Sequence, residues 1–151
     1  MKKFESLAAL SALVGQCVAS SGWVTVTQEQ INLFAQATGD HQWIHVDTQR
    51  AQSGPFGQTI AHGFLTLALL PQLFENAIAV DGVRMAVNYG LNKVRFLAPV
   101  PVNSRLRAHF TLVKSEPIEG NGVQMLWEMR VEREGAQKPV CIAQSLLRQY
   151  A

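Results

Sequence analysis

Two short polar segments contain the residues whose types and spacing best suit chemistry. Asp40 and His45 stand five residues apart in the first, and His62 and Gly63 are adjacent in the second. A carboxylate and an imidazole that turn toward one point can hold a water molecule, one group accepting its proton while the other orients it. The alternative is structural, with Asp40 capping local amides and His45 a buried, hydrogen-bonded histidine.

Gly63 opens an apolar segment that we expect to form a helix over residues 63–77. The first N–H groups of a helix lack intrahelical partners and lie at the positive end of its dipole. Because glycine has no side chain, a ligand oxygen can approach its N–H closely. The position suits an oxyanion site, where one donor contributes about 3 kcal/mol. Alternatively, Gly63 only allows close packing of the helix on a sheet.

Other kinds of site find less support. Asp40, His45 and His62 are suitable ligand types for zinc, but their spacing matches no standard zinc motif. The chain contains no GxSxG, GxGxxG or P-loop pattern. Cys17 and Cys141 are far apart, form no CxxC, and are interpreted as small buried residues in a reducing compartment.

Length and composition predict one globular domain over residues 1–151, because 48% of the residues are hydrophobic and 16% are charged. A net charge of +2 without a polybasic run argues against nucleic-acid binding. No apolar run reaches the roughly 20 residues of a membrane span. Residues 4–13 suit a helix docked on a cytoplasmic domain, with a short signal peptide as the alternative.

The elements that must position the polar segments are marked by caps. Thr27 and Gln30 form a capping-box pattern that starts a helix, and Gly39 is a suitable left-handed stop. Asp40 therefore follows a helix end. Asp47 is a suitable N-cap for the next short helix.

The segment 63–77 is apolar on nearly all faces, which predicts a long buried helix, and Pro71 should kink or interrupt it. Alternating residues predict strands over 23–26, 85–89, 93–96, 105–112, 123–132 and 140–150. This order indicates an α+β fold in which a curved antiparallel sheet wraps around the long helix.

Four segments, 37–40, 44–47, 56–57 and 60–66, strongly resemble the MaoC-like dehydratases, the (R)-specific enoyl-CoA hydratase family. Residues 88–96 are similar to its NodN-like branch. The resemblance implies a hot dog fold, usually as a homodimer. It also implies reversible addition of water to a trans-2-enoyl thioester, without a metal or redox cofactor.

Under this resemblance, Asp40 and His45 match the pair that activates the water. Gly63 matches the residue whose N–H polarises the thioester carbonyl, with His62 supporting it. The family commonly has Asn-Pro where this chain has Gln42-Trp43. Trp43 adds a large apolar surface at this point, so we expect it to line the acyl pocket together with Ile44.

Lys93 and Arg95 share one strand face and can meet the phosphates of CoA, although a solvated strand face is the simpler interpretation. Three other functions stay open. They are a hot dog acyl-CoA thioesterase, a non-catalytic acyl-thioester binding protein, and a dehydratase acting on acyl carrier protein. An acidic carrier would favour a basic patch, to which Arg105 and Arg107 can add.

Overall fold

The computed structural model describes residues 1–151. The helices are α1 (Leu7–Ser11), α2 (Gln28–Thr38), α3 (Trp43–Val46), α4 (Thr48–Gln52), α5 (Gly63–Ala68) and α6 (Leu70–Glu75). The strands are β1 (Lys2–Phe4), β2 (Cys17–Ser20), β3 (Val24–Thr25), β4 (Ile78–Val80), β5 (Met85–Phe96), β6 (Arg105–Ile118), β7 (Gly122–Arg133) and β8 (Cys141–Tyr150). None of the helices is both long enough and apolar enough to cross a bilayer.

The main sheet has the order β2-β6-β7-β8-β5, with β3 also paired to β6, and its pairs are antiparallel. One face of each central strand is buried, because alternate side chains point to opposite faces. Phe74 of α6 packs edge-on against Phe110 of β6 and Trp127 of β7, with ring centroids 5.1 Å apart in both pairs. The helices thus cover the buried face of the sheet, and the expected α+β hot dog arrangement is confirmed.

The central helix is shorter than the sequence predicts. The expected helix over 63–77 is divided into α5 and α6 at Leu69, and Pro71 lies in the first turn of α6. The interruption at Pro71 is confirmed, since proline removes a hydrogen bond from the helix interior, but the two helices that result are short rather than long. The expected burial on nearly all faces is also wrong, because Phe64 is 68% exposed.

The caps agree with the sequence at three positions. The Thr27 hydroxyl accepts the Gln30 N–H at 3.2 Å, Gly39 ends α2 with φ +80°, and Asp47 accepts the Arg50 N–H at 2.9 Å. The second half of the capping box is absent. The Gln30 Oε1 atom is buried without a hydrogen-bonding partner, so it does not accept the Thr27 N–H.

The ends of the chain pack differently from the prediction. Residues 4–13 do not form one helix: β1 pairs in parallel with β4, and α1 begins after Ser6, whose hydroxyl accepts the Ala9 N–H. The strands expected at 85–89 and 93–96 are one strand, β5, whose pairing with β8 shifts register twice. Cys141 is buried as expected, but Cys17 is exposed.

Candidate active site

Asp40 lies immediately after the left-handed Gly39 that ends α2, so its carboxylate is outside the helix and exposed. The Gln42 N–H points to Asp40 Oδ1 across 3.4 Å, which is a long hydrogen bond. The main-chain carbonyl of Asp40 accepts a hydrogen bond from His62 Nε2 at 2.9 Å. The hydrogen bond from His62 therefore fixes the main chain at Asp40, while the carboxylate is exposed to solvent.

His45 lies in α3 and is only 6% exposed. Its Nδ1–H donates to the Ile60 carbonyl at 2.7 Å. A carbonyl oxygen only accepts, so Nδ1 carries the hydrogen and Nε2 of the neutral ring is free to accept a proton. Burial lowers the pKa of His45 below its ordinary value of 6.5, and nearby His62 lowers it further. The hydrogen bond to Ile60 and the charge of Asp40 act in the opposite direction but do not reverse the shift.

His62 links the two groups. Its ring stacks on the His45 ring with centroids 3.9 Å apart and an angle of 26° between planes. Its Nε2–H binds the Asp40 carbonyl, so a single buried ring touches His45 and tethers the Asp40 loop. The other ring nitrogen, Nδ1, is buried without a hydrogen-bonding partner.

Gly63 is the first residue of α5, so its N–H has no partner within the helix, and no side chain caps this end. Because α5 has only six residues, the dipole field expected from a long helix is reduced, and the N–H itself is the main donor. A β-carbon at Gly63 would lie 2.9 Å from Cδ2 of Phe96. Close packing against Phe96 is therefore also a reason for glycine here.

Trp43 and Ile44 hold the loop together. A β-carbon on Gly54 would lie 2.9 Å from the Trp43 ring, and the Arg50 guanidinium stacks 4.4 Å from the ring centroid. The Ile44 carbonyl accepts the Ile60 N–H at 3.0 Å. These contacts are with residues 50–60 of the same chain segment. A role of Trp43 and Ile44 at the acyl pocket stays a prediction.

Lys93 and Arg95 lie apart from the other residues predicted to form the site. They pair with Gln144 and Ile142 of β8 and line a pocket of about 470 Å³ that also includes Glu128. Phe96, the neighbour of Arg95, faces Gly63, so alternation places Arg95 on the opposite face of β5. Contact with CoA phosphates stays a prediction.

The arrangement of Asp40, His45 and His62 does not suit metal binding. One ligand atom each from Asp40, His45 and His62 lies within 4.8 Å of the others. Zinc needs ligand lone pairs that converge at about 2 Å from the ion. Imidazole lone pairs lie in the ring plane, and the planes of the stacked His45 and His62 rings are nearly parallel and lie side by side, so one ion cannot lie close to both planes.

Four residues that the sequence did not single out also belong to the site. Ile60 binds the His45 ring, Phe96 covers Gly63, and Gln28 and Thr59 bind to each other beside them. Gln28 is separated from Thr59 by 31 positions, so no local spacing signals the contact.

Comparison with known proteins gives the family. The family described as MaoC like domain matches residues 10–133. The chain belongs to the MaoC-like dehydratase family. The 3-hydroxyacyl-thioester dehydratase Z of Mycobacterium tuberculosis H37Rv is 58% identical over 151 residues, which is 100% of both chains. Nodulation protein N of Rhizobium meliloti is 44% identical over 140 residues, covering 91% of this chain and 87% of the relative.

The structural comparison agrees with the MaoC-like assignment. The unliganded R-hydratase PhaJ1 from Pseudomonas aeruginosa aligns with a TM-score of 0.69 and 26% identity, covering 89% of this chain and 79% of that one. The expected family and its NodN-like branch are confirmed by these matches. The expected enzyme class, a hydro-lyase, is confirmed by the 58% identical relative, because a dehydratase removes water from its substrate.

Proposed function

We propose that the protein is an (R)-specific enoyl-CoA hydratase and 3-hydroxyacyl-CoA dehydratase, which adds water reversibly to a trans-2-enoyl thioester. The observation that carries the proposal is that a ring nitrogen of His45 and a carboxylate oxygen of Asp40 lie no more than 4.8 Å apart. The hydrogen bond from Nδ1 to Ile60 leaves Nε2 as the nitrogen that is free to accept a proton. Two hydrogen bonds of about 2.8 Å at a tetrahedral angle span about 4.6 Å, so a separation near that upper bound suits one shared water molecule.

In the hydration direction, His45 Nε2 accepts a proton from this water while Asp40 orients it, and the oxygen attacks C3. The electron pair of the double bond moves toward the thioester carbonyl, whose oxygen becomes negative. The Gly63 N–H donates to that oxygen, and an interaction that strengthens with the developing charge lowers the barrier. The same pair then delivers the proton to C2. His62 supports the reaction by holding the Asp40 loop and packing on the His45 ring.

The test is hydration of a chain-length series of trans-2-enoyl-CoA thioesters, with chiral analysis of the product. We expect the (R)-3-hydroxyacyl thioester and losses of several orders of magnitude in Asp40→Asn and His45→Gln without unfolding. Asp47→Asn and His41→Gln make the same chemical changes at a helix cap and at an exposed neighbour, and both should retain activity. An (S)-alcohol, or near-normal turnover in either site variant, would contradict the proposal.

The same assay separates the other functions. Release of free CoA would indicate a thioesterase, and binding of acyl-CoA without turnover would indicate a binding protein. For an acyl carrier protein substrate, the basic-patch argument is weakened, because Arg105 and Arg107 are paired with Glu134 and Glu132. Comparing one acyl chain on CoA and on a carrier protein decides between these substrates.

The proposal includes a homodimer. Strand β5 is the last in the sheet, so its outer edge is unpaired. It also exposes a row of apolar side chains, Met85, Val87, Tyr89, Leu91 and Phe96. An exposed apolar edge strand favours pairing with a second chain. Light scattering should give twice the 16.6 kDa mass of one chain.

A cytoplasmic location is also proposed, supported by the two free cysteines.

A further inference from the structure

Gln28, the first residue of α2, uses its side-chain amide to connect three segments. Its Nε2 donates to the main-chain carbonyl of His45 at 2.8 Å and to Asn32 Oδ1 at 2.9 Å. Its Oε1 accepts a hydrogen bond from the Thr59 hydroxyl at 2.5 Å. Both N–H donors and the carbonyl oxygen of the amide are therefore engaged.

The residues that Gln28 contacts also hold the His45 ring. Thr59 precedes Ile60, whose carbonyl accepts the His45 Nδ1–H and whose N–H donates to the Ile44 carbonyl. The Thr59 carbonyl accepts the Val102 N–H at 2.9 Å, which anchors this segment to the chain beyond β5. His45 is thus held at two places, with the ring bound to Ile60 and the main chain bound to Gln28.

Helix α3 cannot hold His45 in place alone. It has only four residues and no side-chain N-cap, and so short a helix has little stability of its own. The direction of His45 Nε2 therefore depends on the contacts from outside α3. A displacement of about 1 Å at a reacting group can lower the rate about 100-fold.

We propose that Gln28 is a positioning residue, which fixes the main chain of His45 so that the ring, with its free Nε2, keeps its place next to Asp40. This role rests on the proposed function, in which His45 is the base. Gln28 binds the main-chain carbonyl of His45 rather than its ring, so in this role it acts through His45. Its loss should therefore lower kcat and leave KM nearly unchanged.

The test uses Gln28→Glu, which keeps the size of the side chain and the acceptor for Thr59. The variant loses the donor to His45 and places a carboxylate against its carbonyl oxygen. We expect kcat for enoyl-CoA hydration to fall about 10- to 100-fold, with KM changed by less than about threefold. Gln36→Glu makes the same change at an exposed position of α2 and should leave kcat unchanged.

Two further measurements keep the test decisive. Thr59→Val removes the hydroxyl that orients Gln28 at nearly constant volume, and it serves as the second variant if Gln28→Glu does not fold. We expect its kcat to fall about 3- to 10-fold. Nuclear magnetic resonance of the free protein follows the His45 Nδ1–H signal, which should shift or broaden in both variants and stay unchanged in Gln36→Glu.

The two readouts separate this inference from the proposed function. If the unmodified protein hydrates no enoyl thioester, the proposed function fails, and the resonance signal still reports whether Gln28 positions the ring. If kcat and the His45 signal of both Gln28→Glu and Thr59→Val match those of Gln36→Glu, Gln28 has no positioning role.

Discussion

Replacing Gly63 with alanine separates a donor role of its N–H from a packing role. The new β-carbon would meet three atoms of the Phe96 ring at 2.9–3.1 Å, whereas carbon atoms in contact prefer about 3.5–4.0 Å. The ring must therefore withdraw by roughly 0.5–1 Å. Phe96 is 44% exposed, so it can move, and we expect a penalty near the lower end of overpacking, about 1 kcal/mol.

Alanine also favours a helix over glycine by up to about 1 kcal/mol, and Gly63 does not use a positive φ. The two effects nearly cancel, so we expect the melting temperature of Gly63→Ala to stay within a few degrees of the parent, as about 1 kcal/mol corresponds to about 4 °C. In the proposed mechanism the thioester oxygen approaches the Gly63 N–H closely, and the methyl group would obstruct that approach. Loss of that interaction, about 3 kcal/mol, lowers kcat/KM for hydration about 100-fold.

The refuting experiment adds Phe96→Ala to Gly63→Ala, which removes the ring that the methyl group meets. If Gly63 only serves packing, the double variant should hydrate enoyl-CoA at the rate of Phe96→Ala alone. If the N–H must be approached closely, the double variant stays about 100-fold slower than Phe96→Ala. Recovery of the rate would therefore remove the Gly63 N–H from the mechanism.

Three further predictions concern titration and reactivity. Because the pKa of His45 is lowered, its neutral form persists below pH 6.5, and the acidic limb of kcat/KM should lie below that value and follow protonation of His45. Burial raises the pKa of Cys141 to about 11, so one thiol, that of the exposed Cys17, should react with a thiol reagent at about pH 8 before unfolding and two after it. Burial alone would raise the pKa of Glu132, but hydrogen bonds from His109 and Arg107 outweigh it and lower the pKa. That carboxylate therefore stabilises the fold above its ordinary value of 4.5 and less so as pH falls through the lowered pKa, so the deficit in melting temperature of Glu132→Gln should be larger at pH 7 than at about pH 3.

The sequence was most informative where the physical cause is local. Thr27, Gly39 and Asp47 act on residues within four positions, so their spacing alone predicted the caps that place Asp40 and His45. The failed half of the capping box shows the limit. The position of the Gln30 side chain depends on its neighbours in the folded structure, which its sequence separation from Thr27 does not reveal.

Contacts between distant segments escaped sequence reasoning. The stacking of His45 on His62 and the binding of Gln28 to Thr59 depend on how α2, α3 and the segment before α5 pack together. The exposure of Phe64 was missed for a related reason. An apolar pattern predicts that a helix face is buried. It does not show whether the same chain or another chain buries that face.

The pairing of β1 with β4 has a consequence for the order in which the chain is completed on the ribosome. Lys2 pairs with Ile78, so β1 emerges roughly 75 residues before its partner. At about 5–20 residues per second, β1 waits roughly 4–15 s for β4. Residues 28–63 emerge within that interval, so Gln28, Asp40, His45 and Gly63 are all synthesised before β1 can form its first interstrand hydrogen bonds with β4.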